Sequence, residues 1–401
     1  MKKGFLLFFC ITLLLLPNLP LFSVDLGLVL DQTAGVSGSG DTTTFDYTGT
    51  LIPWLSAFIT ANNEFYMSAG LNMDFKSDTW TFIPELLRTE LSGRFNNGSF
   101  NLGRMSYSDP LGFVADGLFD GARFAFDTRA GIFSLGAWYT GLLYKDRAKI
   151  TMTAKDLELA GTDLDFSNFT DTYFAPKRIV AALGWEHPSI GNFARAKISA
   201  LGQFDMTGED FNTQYFVGKL SLPGASVVLD LGACLELKEE SGEDLKTAIA
   251  GEASLAWLTP IPVYDRLMLL GRYSSGSTEA MSAFVPVTTV GQGSILKPKL
   301  SGISIVSVDY AARLAQSFAM SVSSNYFIRT DGLTYLSYPV DQGTSEGYFL
   351  GNEFFAWLLW SPVSDLRINL GGGIFLPSMG NVAPEASNLW RVELNVILSL
   401  Y

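Results

Sequence analysis

Residue types able to run chemistry are scarce in this chain. It holds one histidine, His187, and two cysteines, Cys10 and Cys234. His187 sits in a His-Pro pair, with no Ser or Asp at a spacing that would make it the base of a nucleophile. One His and two Cys cannot supply the ligand spacing of a zinc site. Gly371-Gly372-Gly373 lacks the Lys-Ser/Thr that completes a phosphate loop, so it reads as a kink or a close approach within a strand. These residues predict no enzyme, no metal and no cofactor. The remaining chemistry is charge: 27 Lys and Arg against 40 Asp and Glu, a formal net of −13. An acidic chain of this kind predicts no nucleic-acid partner.

The elements that must position those charges show period-two alternation. Over residues 389–401, Trp390, Val392, Leu394, Val396, Leu398 and Leu400 fall on one face. Arg391, Glu393, Asn395 and Ser399 fall on the other, with Ile397 breaking the rule. One apolar and one polar face mark a strand. The pattern recurs over residues 64–76, 191–206, 225–238 and 365–376. A long open edge at 389–401 would invite aggregation, so this strand is expected to pair with the first and close a barrel. The fold class predicted is all-β, a transmembrane antiparallel β-barrel of about 18 strands. Segments 100–107, 300–312 and 348–361 alternate poorly and leave sixteen open.

The connections support this count. Short ones at residues 61–63, 96–98, 128–130, 223–224 and 362–364 alternate with long ones at 145–176, 276–298, 330–347 and 377–387. That parity predicts short periplasmic turns and long outer loops, with 145–176 on the cell surface. The weakest boundary, residues 314–316, has no turn residue. Residues 35–42 read as a connection after a first strand at 25–34. Segment 109–119 is apolar for a loop and admits two readings, a fold into the lumen or a cap on the rim. The eight tryptophans, placed mostly near strand ends, predict interfacial girdles, with ordinary packing as the alternative.

The start, Met1-Lys2-Lys3 with an apolar stretch over 5–16 and Ser23 after it, predicts a signal peptide over 1–23 and one barrel domain over 24–401. Alternation then assigns twelve candidate lumen-lining residues: Lys76, Arg88, Arg94, Arg123, Arg178, Arg195, Lys197, Glu252, Arg272, Arg367, Arg391 and Glu393. Asp46, Asp74, Glu90 and Asp205 are assigned to the same inner face, and the acidic excess falls in the long connections. A mixed-charge lumen under an acidic mouth predicts a channel for small polar or charged solutes, saccharides among them. Transport of hydrophobic compounds is an alternative; it would need a plugged apolar lumen and a hatch, for which 25–40 is too short. A structural or adhesive surface barrel is another. Expected partners are outer-membrane lipid, the barrel-assembly machinery and small polar solutes.

Two segments resemble a known family. Leu350-Gly351-Asn352-Glu353 opens a strand, Ser361-Pro362 turns, and the next strand ends in Phe375-Leu376-Pro377 with Gly380 beyond. Earlier, Gly103-Arg104 leads through Asp109 to Asp120-Gly121-Ala122-Arg123-Phe124. These are similar to the alginate-export family of outer-membrane channels, and the resemblance implies a monomeric eighteen-stranded barrel. It also implies a strongly basic lumen for an anionic polysaccharide, from which the mixed charges assigned here depart.

Overall fold

The computed structural model describes residues 23–76, 78–259, 265–332 and 347–401. The expected signal peptide lies outside the described residues, apart from Ser23. Eighteen strands follow in chain order: β1 (Val24–Ser39), β2 (Thr42–Thr60), β3 (Asn63–Lys76), β4 (Thr79–Phe95), β5 (Gly98–Ser108), β6 (Asp116–Thr128), β7 (Gly131–Tyr139), β8 (Arg178–Ile190) and β9 (Ala194–Asp205). The second half runs β10 (Asn212–Pro223), β11 (Val227–Glu239), β12 (Lys246–Leu258), β13 (Arg266–Ser274), β14 (Ile303–Ala315), β15 (Phe318–Arg329), β16 (Phe349–Val363), β17 (Leu366–Leu376) and β18 (Leu389–Leu400). Each strand pairs antiparallel with its neighbours in sequence, and β1 pairs with β18 from Leu28↔Leu400 to Ser39↔Leu389. The sheet is therefore a closed barrel, the form in which strands can span lipid with every ladder bonded.

The alternation in sequence becomes an inside and an outside. Large apolar side chains stand out from the wall: Leu183, Ile198, Phe216, Val306 and Leu394 are all exposed. Their neighbours along each strand point inward. Five tryptophans, Trp80, Trp185, Trp257, Trp360 and Trp390, share the outward face by ladder parity, near strand ends. Three do not join a girdle. Trp54 stacks on Tyr66, itself beneath Arg88; Trp138 is buried in the core; Trp357 lies over Gly371.

Parity of the connections holds, with shorter turns than expected at one rim. β1 runs to Ser39, and Gly40-Asp41 turns directly into β2. The glycines within 35–42, read from sequence as a connection, serve close packing. A Cβ on Gly35 would come within 2.6 Å of the Arg391 guanidinium, and one on Gly38 within 2.6 Å of the Trp390 ring. β7 stops at Tyr139, so the longest connection is residues 140–177. β14 begins at Ile303, and Gln316-Ser317 makes its turn, after a bulge at Arg313/Ala315. The bulge takes up the bend that a turn residue would otherwise supply.

The outward face predicts a depth-dependent response to charge. Leu394 lies mid-strand, opposite Ala34 and Leu370. Leu394→Arg should destabilise the barrel by about 2–4 kcal/mol, whereas Ser399→Arg, on the inner face near a mouth, should cost far less. Urea unfolding in phospholipid vesicles measures both.

Candidate functional site

Among the described residues, three segments at the long-loop rim fold into the lumen. The first, residues 109–115, is held by one carboxylate. Asp109 accepts backbone N–H bonds from Leu111 (2.8 Å), Gly112 (3.2 Å), Val114 (2.8 Å) and Ala115 (2.9 Å). Burial raises its pKa above the ordinary value, with these donors pulling the other way. Of the two readings of 109–119, the fold into the lumen is the one observed: Phe113, Val114 and Ala115 are buried, and Arg272 lies over the Phe113 ring.

The second segment, residues 275–302, crosses the lumen on wall contacts. Glu236 accepts from Val285 N at 2.9 Å, the Tyr215 hydroxyl donates to Val285 O at 2.6 Å, and Lys238 donates to Ala283 O. Glu353, fully buried, accepts from the backbone of Ser294 (2.7 Å), Ile295 (2.8 Å) and Leu296 (3.0 Å). Val287 N donates to Val114 O at 2.7 Å, which ties the first two segments together.

The third segment, residues 140–177, carries α1 (Lys145–Ala148), α2 (Ala154–Gly161) and α3 (Phe169–Tyr173). Its anchor is Arg178 at the start of β8. That guanidinium is 0% exposed and reaches Asp156 at 2.7 Å and Asp205 at 3.5 Å. Asp156 also completes a capping box with Thr153 at the start of α2. The expected surface loop is thus partly interior: Leu143, Ile150 and Met152 join the core with Phe113, Phe284 and Val287.

Side chains of Val180, Leu201, Val217, Ala250, Ile305 and Phe327 back that core from the wall, so the β8–β15 side of the lumen is filled. Among the described residues, the opposite side stays open. A cavity of about 1000 Å³ lies against Asp31, Thr33, Thr48, Thr50, Asn72 and Asp74 of β1–β3 and Glu85 of β4. Facing them are Tyr144, Asp146, Arg147, Lys149 and Lys297 from the inserted segments. Five carboxylates (with Asp116) meet three cations in its lining. Arg147 is bound to Glu85 at 3.2 Å, and Glu85 also accepts from Asn72 Nδ2 at 3.0 Å. A second recess of about 500 Å³ at the short-turn mouth holds Glu64, Arg94 and Asn101.

The twelve sequence-assigned residues are distributed around this geometry and none lines the larger cavity. Arg391 bonds Asp46 (2.9 Å) and Glu393 (2.5 Å). Arg88 bonds Glu90 at 2.6 Å. Glu252 takes both Lys219 (2.9 Å) and Arg272 (3.2 Å). Lys197 meets Glu186 at 3.2 Å. Arg178 has no exposed surface and cannot meet a solute; its alternation was that of an inner face, but the face there is packed. Lys76 is exposed at the long-loop rim, Arg123 lies opposite Asn101, and Arg195 and Arg367 are exposed near the short turns. Sequence reading missed Glu85 because Leu87 is bulged out between the pairs Ser68↔Arg88 and Ala69↔Leu86. The bulge reverses parity, so Glu85 and Arg88 both point inward. It also missed Arg147, Lys149 and Lys297, since loops carry no alternation to read.

No family model and no curated protein matches the sequence. The fold is similar to solved structures from Pseudomonas aeruginosa. OccK2 (OpdF) is 11% identical, with 94% of this chain and 98% of that chain covered and a TM-score of 0.63. OpdQ is 11% identical, with coverages of 94% and 99% and a TM-score of 0.62. OprD is 13% identical, with coverages of 94% and 96% and a TM-score of 0.56. At such identities the likeness is one of fold, a closed eighteen-stranded antiparallel barrel. The expected likeness to alginate-export channels is not shown by these comparisons.

The Glu353 clamp gives a measurable consequence. In Glu353→Gln a single amide oxygen replaces two carboxylate oxygens that together receive three backbone N–H groups and the Asn325 side-chain amide. A buried donor left unsatisfied costs about 1–3 kcal/mol. Amide hydrogen exchange at residues 294–296 should accelerate by about ten-fold or more, while residues 109–115 keep their protection.

Proposed function

We propose that the protein is an outer-membrane channel that passes small polar solutes through the open side of its lumen, with a preference for cationic or zwitterionic ones. The observation that carries this reading is the cavity of about 1000 Å³ whose lining sets five carboxylates, Asp31, Asp74, Glu85, Asp116 and Asp146, against three cations, Arg147, Lys149 and Lys297. A lining with a net acidic excess between low-dielectric walls favours cations over anions. Five of the ten basic residues assigned to the lumen from sequence, Arg88, Arg178, Lys197, Arg272 and Arg391, are matched by carboxylates within 3.5 Å, which interrupts any basic track for a polyanion. Arg94, Arg195 and Arg367 have no ion pair among the described residues, and bias entry from the short-turn, periplasmic mouth. The similar fold of OccK2 was solved in complex with glucuronate, a sugar acid. The acidic wall argues against an anion of that kind as the favoured solute here. The finer likeness, an exporter of alginate, is disfavoured on the same ground.

Planar-bilayer recording tests the reading. Under a potassium chloride gradient the reversal potential should report cation preference. Asp31→Asn with Asp74→Asn should move it toward anions, and the shift should shrink as salt rises, because charges are screened within ~8 Å at ~0.15 M. A barrel without conductance, or an anion-selective wild type, overturns the proposal.

A further inference from the structure

One junction of the barrel wall is not sealed by its ladder. β4 and β5 pair from Phe95↔Gly98 to Thr89↔Arg104 and no further. Beyond that point both strands continue, β4 through residues 79–88 and β5 through residues 105–108, paired only to their other neighbours. The parting point is built in. Gly103 has φ +108°, and a Cβ there would lie 2.1 Å from Thr89 O. The Leu87 bulge bends β4 at the same level.

Lipid offers no hydrogen bonds, so the freed carbonyls of β4 need partners from the protein. Side chains and the third inserted segment supply them. Arg104, 6% exposed and paired with Asp120 at 2.7 Å, donates to Leu86 O (2.5 Å) and to Leu142 O (2.8 Å). The Tyr173 hydroxyl of α3 donates to Pro84 O at 2.8 Å. An aromatic row fills the space between. Tyr144, on the cavity wall, lies 4.9 Å from Tyr173; Tyr173 stacks on Phe169 at 4.4 Å; Phe169 stacks on Phe166 at 6.2 Å, and Phe166 is 62% exposed. The row therefore runs from the acidic cavity to the protein's exterior. Glu85 on β4 and Ser106 on β5 border the cavity on either side of the opening.

We propose that the opening between β4 and β5 is a side portal joining the cavity to the lipid, closed by residues 140–177, and that it admits a cationic amphiphile. The apolar tail follows the Tyr173–Phe166 row, and the ammonium head reaches the exposed carboxylates Asp116 and Asp146 on the cavity wall. Strap contacts across the opening are a few side-chain bonds, where every other junction has a ladder. Displacing α3 opens the wall without breaking a strand pair.

The test uses the whole barrel in phosphatidylcholine vesicles and a dodecylammonium probe with a diazirine near the tail end. Photolysis should place label on residues 83–86, 142–144 and 166–174, and dodecyltrimethylammonium in about ten-fold excess should remove it. Tyr173→Ala should raise that labelling several-fold. Should the variant fail to fold, the wild-type labelling pattern decides alone. Label spread over the outward apolar belt and unaffected by competitor overturns the portal. Potassium chloride conductance on the same preparation separates this from the channel reading: conductance without portal labelling sinks only the portal, and portal labelling without conductance sinks only the channel.

Discussion

The pairing of β18 with β1 is the constraint from which the other features follow. Inside a bilayer each backbone N–H and C=O must find its partner within the protein, and a sheet can meet that only by closing on itself. The register, Leu28↔Leu400 through Ser39↔Leu389, also sets which side chains point inward. A slip of one residue would send Arg391 and Glu393 to lipid and Leu394 to the lumen. The Arg391 guanidinium, held between Asp46 of β2 and Glu393 of β18 across Gly35 of β1, makes that slip costly at the seam.

With the faces fixed, the composition of each inner face decides how the lumen is filled. The walls of β8 to β15 present Val180, Leu201, Val217, Ala250 and Ile305, and the apolar parts of the inserted segments collapse on them. The walls of β1 to β3 present Thr33, Thr48, Thr50, Asn72 and Asp74, which gain nothing from an apolar cover, and there the cavity remains. Carboxylates then hold the inserted backbone in place. Asp109, Glu236 and Glu353 all accept from main-chain N–H groups of segments that have no ladder of their own. Orphan donors of irregular chain are satisfied in this way without sheet or helix.

The β4–β5 junction shows the same constraint under a different solution. Where the ladder stops, Arg104 and Tyr173 stand in for missing strand partners at Leu86 O and Pro84 O. Arg104 and Asp120 belong to one of the two segments read in the sequence as similar to alginate-export channels, a likeness the comparisons do not show, and Glu353 belongs to the other. In this barrel both segments serve wall and loop architecture rather than a basic track for solute.

How much was legible in the sequence follows from what each feature depends on. Alternation is a local property, because successive side chains of a strand face opposite ways whatever lies beyond them. It therefore pointed to a closed barrel of about eighteen strands, with sixteen left open where segments alternate poorly, and to one shared strand face for Arg88, Arg272 and Arg391. Contacts between residues far apart in the chain leave no such local mark. The bonding of Arg147 to Glu85, 62 positions away, the clamp of Glu353 on 294–296, and the inward turn of a bulge-shifted Glu85 were decided only by the tertiary structure. The same holds for the apparent lumen residue Arg178, buried because loop 140–177 returns Asp156 to it. Strand direction is written residue by residue; which loop fills which part of the lumen depends on the finished wall it packs against.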